Sequence, residues 1–106
     1  SSERERLFKV VNELKAQLKK NNIPFIQGDS HIIPVIIGDP VLCKKASQIL
    51  LDDFQIYVQP INFPTVPRGK ERLRITASPQ HSFKMIKKLV SALSTVFESL
   101  EINKAA

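Results

Sequence analysis

Leu7, Val10, Val11, Leu14 and Leu18 recur at steps of three and four, which places them on one stripe of a helix over residues 3–20. Lys9, Glu13, Lys15 and Lys19 fall largely on the opposite face. Asn21–Asn22 ends this helix, and Pro24 prevents its resumption. Gln27–Gly28–Asp29–Ser30 reads as a turn. The run His31–Ile37 reads as a strand with Ile and Val on both faces, so both sides should be covered. Pro34 inside it removes one ladder donor, which predicts an edge or a bulge there. Asp39 and Pro40 suit the N-cap and first position of a second helix, with Leu42, Ala46, Ile49 and Leu50 as its buried stripe and an end near Asp53.

The second half alternates more sharply. Gln55–Val58 reads as a short strand or extended segment, and Pro60–Gly69 as a stiff loop, since each Pro fixes φ and removes a donor. Leu73–Ala77 reads as a strand with Leu73 and Ile75 on one face and Arg72, Arg74 and Thr76 on the other. Ser78–Pro79 breaks the chain and Ser82 caps a last helix reaching about Leu100. Its stripe is Ile86, Leu89, Val90, Leu93, Val96, Phe97 and Leu100. The tail Glu101–Ala106 reads as frayed or truncated. The order helix–strand–helix–strand–loop–strand–helix predicts a small α/β or α+β domain, with a mixed or antiparallel sheet and helices on one face.

Length and charge narrow the function. The chain has 106 residues, room for one domain with a real core. The longest nearly apolar run, Ile32–Gly38, is far too short to span a bilayer. The charged opening SSERERLF reads as a helix start and not a secretory signal. The net charge is +6, but Lys19–Lys20, Lys44–Lys45 and Lys87–Lys88 fall on three different helices with no interleaved aromatics. That argues against nucleic acid and for solvated faces or anionic substrates. Cys43 is the single cysteine, so no internal disulfide forms. It reads as a small buried hydrophobe. His31 and His81 lie fifty residues apart, and no metal spacing is present.

Residues 57–76, YVQPINFPTVPRGKERLRIT, carry the candidate chemistry. By pattern alone, Arg72 and Arg74 are solvated arginines, one of them paired with Glu71. Thr65, between Pro64 and Pro67, reads as a turn residue. Arg68 reads equally as a guide for an anion, a bridge to a partner subunit or a solvated charge. His81 reads as structural.

The segments SHIIPVIIGDP and DFQIYVQPINFPTVPRGKERLRIT, followed by the closing helix, stand in the order found in the α-oxoamine synthases. The chain resembles that family of pyridoxal-phosphate enzymes from about Ile23 to Leu100, and within it the branch that joins glycine to succinyl-CoA. The PTVPRGKERLRIT core is specific for the family; the YVQPINFPTVPRG wording and the Ser-His-Ile start favour the branch. Related enzymes pair amino acids with other acyl-CoAs and share the arginine. One departure is Ala77–Ser78–Pro79, where the family more typically has Thr-Pro after the strand.

The resemblance implies the C-terminal small domain of a fold-type I transferase. It assigns Arg74 to the carboxylate of the amino-acid substrate, and Thr65 to the acyl group. It makes Ser30, His31, Ile32 and Arg68 a candidate pocket wall. The lysine that bears pyridoxal 5'-phosphate is expected in a large domain outside this sequence, so the chain alone should be inactive. A homodimer in haem biosynthesis is implied, in the mitochondrial matrix or in the cytoplasm of a bacterium. A domain separated from such an enzyme should expose an apolar patch.

Overall fold

In a computed structural model, which describes residues 2–104, the elements are α1 (Ser2–Lys20), β1 (Ile32–Ile36), α2 (Pro40–Phe54), β2 (Gln59–Ile61), β3 (Arg72–Thr76) and α3 (Phe83–Ser99). Helix boundaries follow from local chemistry. The Asp39 carboxylate accepts from the Leu42 N–H at 2.9 Å, and Pro40 opens α2. The Ser82 hydroxyl accepts from the Met85 N–H at 3.1 Å and opens α3. α1 closes through Asn22 at φ 57, with the Ile23 N–H reaching back to the Leu18 carbonyl at 2.9 Å.

The three strands pair in the order β1-β3-β2, and both pairings are antiparallel. β3 is therefore central. Pro34 sits on β1, an edge strand, as expected; no bulge is needed. Its carbonyl accepts from the Ile26 N–H at 2.9 Å, on the side away from β3. An isolated bridge pairs Phe25 with Val35 on that same outer side.

Alternation sorts the sheet into two faces. Ile33, Val35, Leu73 and Ile75 are buried and share one core with Leu14 and Leu18 of α1, Ala46 and Leu50 of α2, and Val90, Leu93 and Phe97 of α3. The helices cover that face. The opposite face carries Ile32, Pro34 and Ile36 of β1, Arg72, Arg74 and Thr76 of β3, and Gln59 and Ile61 of β2. Arg74 and Thr76 are exposed there, and the isoleucines and Pro34 are half-buried.

Four expectations need correction. The second strand is not Gln55–Val58, which is extended but unpaired; pairing begins at Gln59 and includes Pro60. An edge strand needs backbone donors on one side only, so Pro60 is tolerated. The loop accordingly runs from Asn62 to Glu71 and not from Pro60. β3 starts one residue before Leu73 and ends at Thr76. The tail is packed as far as Ile102. Glu101 turns at φ 55, the Ile102 N–H bonds the Phe97 carbonyl at 2.9 Å, and Ile102 is buried. Residues 105 and 106 lie outside the described residues.

Candidate functional site

Arg74 stands at the middle of the central strand, opposite Pro34 on one side and Gln59 on the other. It is exposed and forms no hydrogen bond or ion pair with any described residue. Flanking strands hold its backbone rigid while its guanidinium stays free. A guanidinium so presented can grip a carboxylate through two parallel hydrogen bonds. Arg74 also lines a cavity of about 480 Å³ beside Tyr57, Gln59, Thr76, His81 and Lys88. Arg72, two residues away on the same face, is different: its Nε donates to the Lys70 carbonyl at 2.9 Å.

The loop between β2 and β3 carries Thr65 and Arg68. Thr65 is exposed in a turn that follows the cis peptide bond Phe63–Pro64. The Arg68 guanidinium lies 4.4 Å from the centre of the Phe63 ring, a cation–π contact worth ~0.5–1 kcal/mol at an exposed position. Gly69 adopts φ 89, a conformation that favours glycine. Its N–H donates to Glu71 Oε1 at 3.0 Å.

Glu71 is the residue that sequence reasoning missed. It is not paired with an arginine; its side chain is fully buried. Its backbone carbonyl accepts from both Ile37 and Gly38 N–H groups, at 2.9 and 3.0 Å, which fixes the end of the loop to the turn before α2. The signal was present in the alternation: Glu71, Leu73 and Ile75 share one phase, and the other two are core residues. The electrostatic result is sharp. Residues 62–76 contain four cations, Arg68, Lys70, Arg72 and Arg74, and one acid. The acid points inward, and the segment presents positive charge outward.

Ser30 and His31 lie elsewhere. They line a separate hollow of about 490 Å³ with Leu7, Phe8 and Val11 of α1. The Ser30 hydroxyl accepts from the Ile32 N–H at 3.0 Å, and the His31 carbonyl accepts from the Ala77 N–H at 2.9 Å. Ile32, paired with Thr76, does share the sheet face of Arg74. His81 Nδ1 accepts from the Ser78 N–H at 3.0 Å, which braces the turn before α3.

Cys43 has no nucleophilic character. Its thiol is buried and donates to the Arg72 carbonyl at 3.3 Å. Burial pushes it up from 9.0 to about 11, and the nearby charges of Glu71 and Asp39 push the same way. Among the described residues, no cluster of His, Cys, Asp or Glu can hold a metal ion. Among the described residues, no helix is long and apolar enough to cross a membrane.

The chain is 50% identical over 102 residues to a 5-aminolevulinate synthase of Rickettsia bellii, covering 96% of the chain and 25% of that protein. It is 54% identical over 92 residues to 5-aminolevulinate synthase 1 of Cereibacter sphaeroides, covering 87% of the chain and 23% of that protein. A mitochondrial 5-aminolevulinate synthase of Agaricus bisporus is 49% identical over 94 residues, 89% of the chain and 15% of that protein. The chain thus spans a quarter or less of these relatives' lengths. A serine palmitoyltransferase of S. paucimobilis, solved with bound PLP–myriocin, superposes with a TM-score of 0.82 at 25% identity, over 92% of this chain and 25% of that one. An 8-amino-7-oxononanoate synthase of Francisella tularensis shares the fold with a TM-score of 0.78 at 18% identity, over 93% and 28% of the two chains. The family model described as aminotransferase class I and II matches residues 1–93, and the chain belongs to that family.

Proposed function

We propose that this chain is the C-terminal, substrate-gripping domain of a 5-aminolevulinate synthase. The whole protein would convert glycine and succinyl-CoA into 5-aminolevulinate, free CoA and carbon dioxide, within haem biosynthesis. The observation that carries this reading is Arg74: a guanidinium with no partner among the described residues, held on the central strand of a domain about half identical to proteins of that name.

Pyridoxal phosphate, when bound, supplies the electron sink that makes glycine's Cα acidic. This chain does not fit its anchoring. Every described lysine is exposed or half-exposed, so none is enclosed in a pocket where a Schiff-base amine would be desolvated. The cofactor is therefore assigned to the large domain outside this sequence.

The chain's own residues bind and orient. The Arg74 fork takes the glycine carboxylate and fixes the angle of the Cα bonds relative to the rest of the site. Thr65 offers a hydroxyl that donates to the succinyl carboxylate. Arg68, Lys70 and Arg72 raise the local potential and attract an anionic thioester. A rigid, Pro-rich loop that closes over the reactants also excludes water.

The open sheet face supports packing against the rest of the protein. Ile32, Pro34, Ile36 and Ile61 sit there half-buried, and Tyr57 and Phe63 are exposed nearby. A homodimer is part of the reading. The compartment follows the source: matrix if mitochondrial, cytoplasm if bacterial.

The test is turnover by the full-length protein with glycine and a panel of acetyl-, succinyl-, pimeloyl- and palmitoyl-CoA. The expected result is a kcat/KM at least about tenfold higher for succinyl-CoA than for any other thioester, a gap of ~1.4 kcal/mol in transition-state binding. Preference for another thioester moves the protein to a sister activity. No turnover with any of them makes the domain a binding module.

A further inference from the structure

Among the described residues, two buried side-chain oxygens have no hydrogen-bond partner: Glu71 Oε2 and Asn62 Oδ1. Buried polar atoms are rarely left so, and an orphan acceptor is costly. The sheet register explains why there are two. β2 and β3 pair Gln59 with Arg74, Pro60 with Leu73 and Ile61 with Arg72. Continued by one residue, the same register sets Asn62 opposite Glu71, on the core side with Pro60 and Leu73. These two residues are the first and last of the substrate loop.

An amide carries an acceptor at one end and a donor at the other, and its orientation is decided by its neighbours. Turning the Asn62 amide about its Cβ–Cγ bond puts Nδ2 where the orphan oxygen stands. A donor is what the orphan Glu71 Oε2 lacks. Glu71 Oε1 already accepts from the Gly69 N–H at 3.0 Å, and the Glu71 carbonyl already holds Ile37 and Gly38.

We infer that Glu71 is a positioning residue: with Asn62 it forms a buried clamp across the mouth of loop 62–71, and the clamp fixes where Thr65 and Arg68 stand. Glu71 touches no substrate. It acts through the loop, and its role in the reaction rests on the functional reading above. Arg74 is held by the sheet and is independent of the clamp. The clamp therefore governs the acyl-CoA side of the site and leaves the glycine side alone.

The test uses the full-length protein with three variants. Glu71→Leu removes both acceptors at similar volume. Asn62→Leu removes the partner while leaving the Gly69 bond. Glu71→Gln keeps an oxygen for Gly69 and offers Nε2–H to Asn62 Oδ1, so it rebuilds the clamp. Hydrogen exchange is read on peptides covering residues 62–70, and steady-state kinetics on both substrates.

The expected result is at least tenfold faster exchange in the loop for both leucine variants. Succinyl-CoA KM rises at least fivefold, with glycine KM within twofold of wild type. Glu71→Gln behaves as wild type in both assays. Should Glu71→Leu fail to fold, Asn62→Leu and Glu71→Gln carry the same comparison. Wild-type loop exchange in Asn62→Leu overturns the clamp. Equal rises in glycine and succinyl-CoA KM overturn the positioning role. A wild-type protein that turns over no acyl-CoA overturns the functional reading and the loop's role with it, while the exchange data still decide the clamp.

Discussion

Cys43 gives a pH dependence whose sign and size follow from its surroundings. Its thiol is fully buried under α2 and held at about 11, against an ordinary value of 9.0, with burial the main cause. In the unfolded chain the thiol regains the ordinary value. Below pH 9 both states keep the proton, and the stabilisation from Cys43 is complete. Between pH 9 and 11 the unfolded chain binds fewer protons than the folded one, so stability falls as pH rises. Above 11 both states are ionised and the slope ends. The full loss is about 2–3 kcal/mol. Urea unfolding of the chain at pH 8, 9, 10 and 11 measures it, with Cys43→Ala as the reference. Whatever the two proteins share cancels in the difference. Cys43→Ala should be less stable than wild type at pH 8, and the wild-type advantage should shrink or reverse by pH 11. Parallel pH curves for the two proteins would refute the reasoning, because the thiol would then titrate alike in both states.

Two further stability predictions rest on single contacts. Phe97→Ala empties the largest fully buried side chain among the described residues, in the core that α3 shares with α1 and α2, and should cost ~3–5 kcal/mol in urea or thermal unfolding. Asp39→Ala removes the acceptor for the Leu42 N–H and should cost ~0.5–2 kcal/mol, whereas Asp39→Asn should recover most of it. A loss below ~0.3 kcal/mol for Asp39→Ala would show that water replaces the cap.

The helices were legible because their signals are local. Stripes at steps of three and four, an Asp-Pro start and a Ser start each act within one turn, and α1, α2 and α3 fall within a residue or so of their expected bounds. β3 was legible for the same reason: Leu73 and Ile75 alternate with charged residues. β2 was not. Its three residues include Pro60, and nothing within the segment reveals that it lies on an edge, since β3 supplies all of its pairing. The packed tail was also hidden, because Ile102 is a single apolar residue whose burial depends on the turn at Glu101.

The site divides in the same way. That Arg74 and Arg72 share a face opposite Leu73 and Ile75 is a consequence of period two, and it was readable. That Arg72 is tethered to Lys70 while Arg74 is free depends on where the loop returns, and it was not. Glu71 was misjudged because neighbouring charges suggest an ion pair; alternation outweighs proximity there, and the side chain turns into the core. Ser30 and His31 are close to Ile32 in sequence, yet they sit against α1 in a different hollow from Arg74.

The most direct test of the account is Arg74→Ala in the full-length protein, assayed with glycine and succinyl-CoA. Arg74 has no partner to lose among the described residues, so the melting transition of this domain should move by less than ~0.5 kcal/mol. Removing a charge-assisted contact to the substrate should cost ~1.5–3 kcal/mol in kcat/KM for glycine, roughly a 10- to 150-fold loss expressed mainly in KM. That pairing of unchanged stability with weakened glycine use is the predicted result. Unaltered glycine kinetics would contradict it and leave Arg74 a solvated surface arginine.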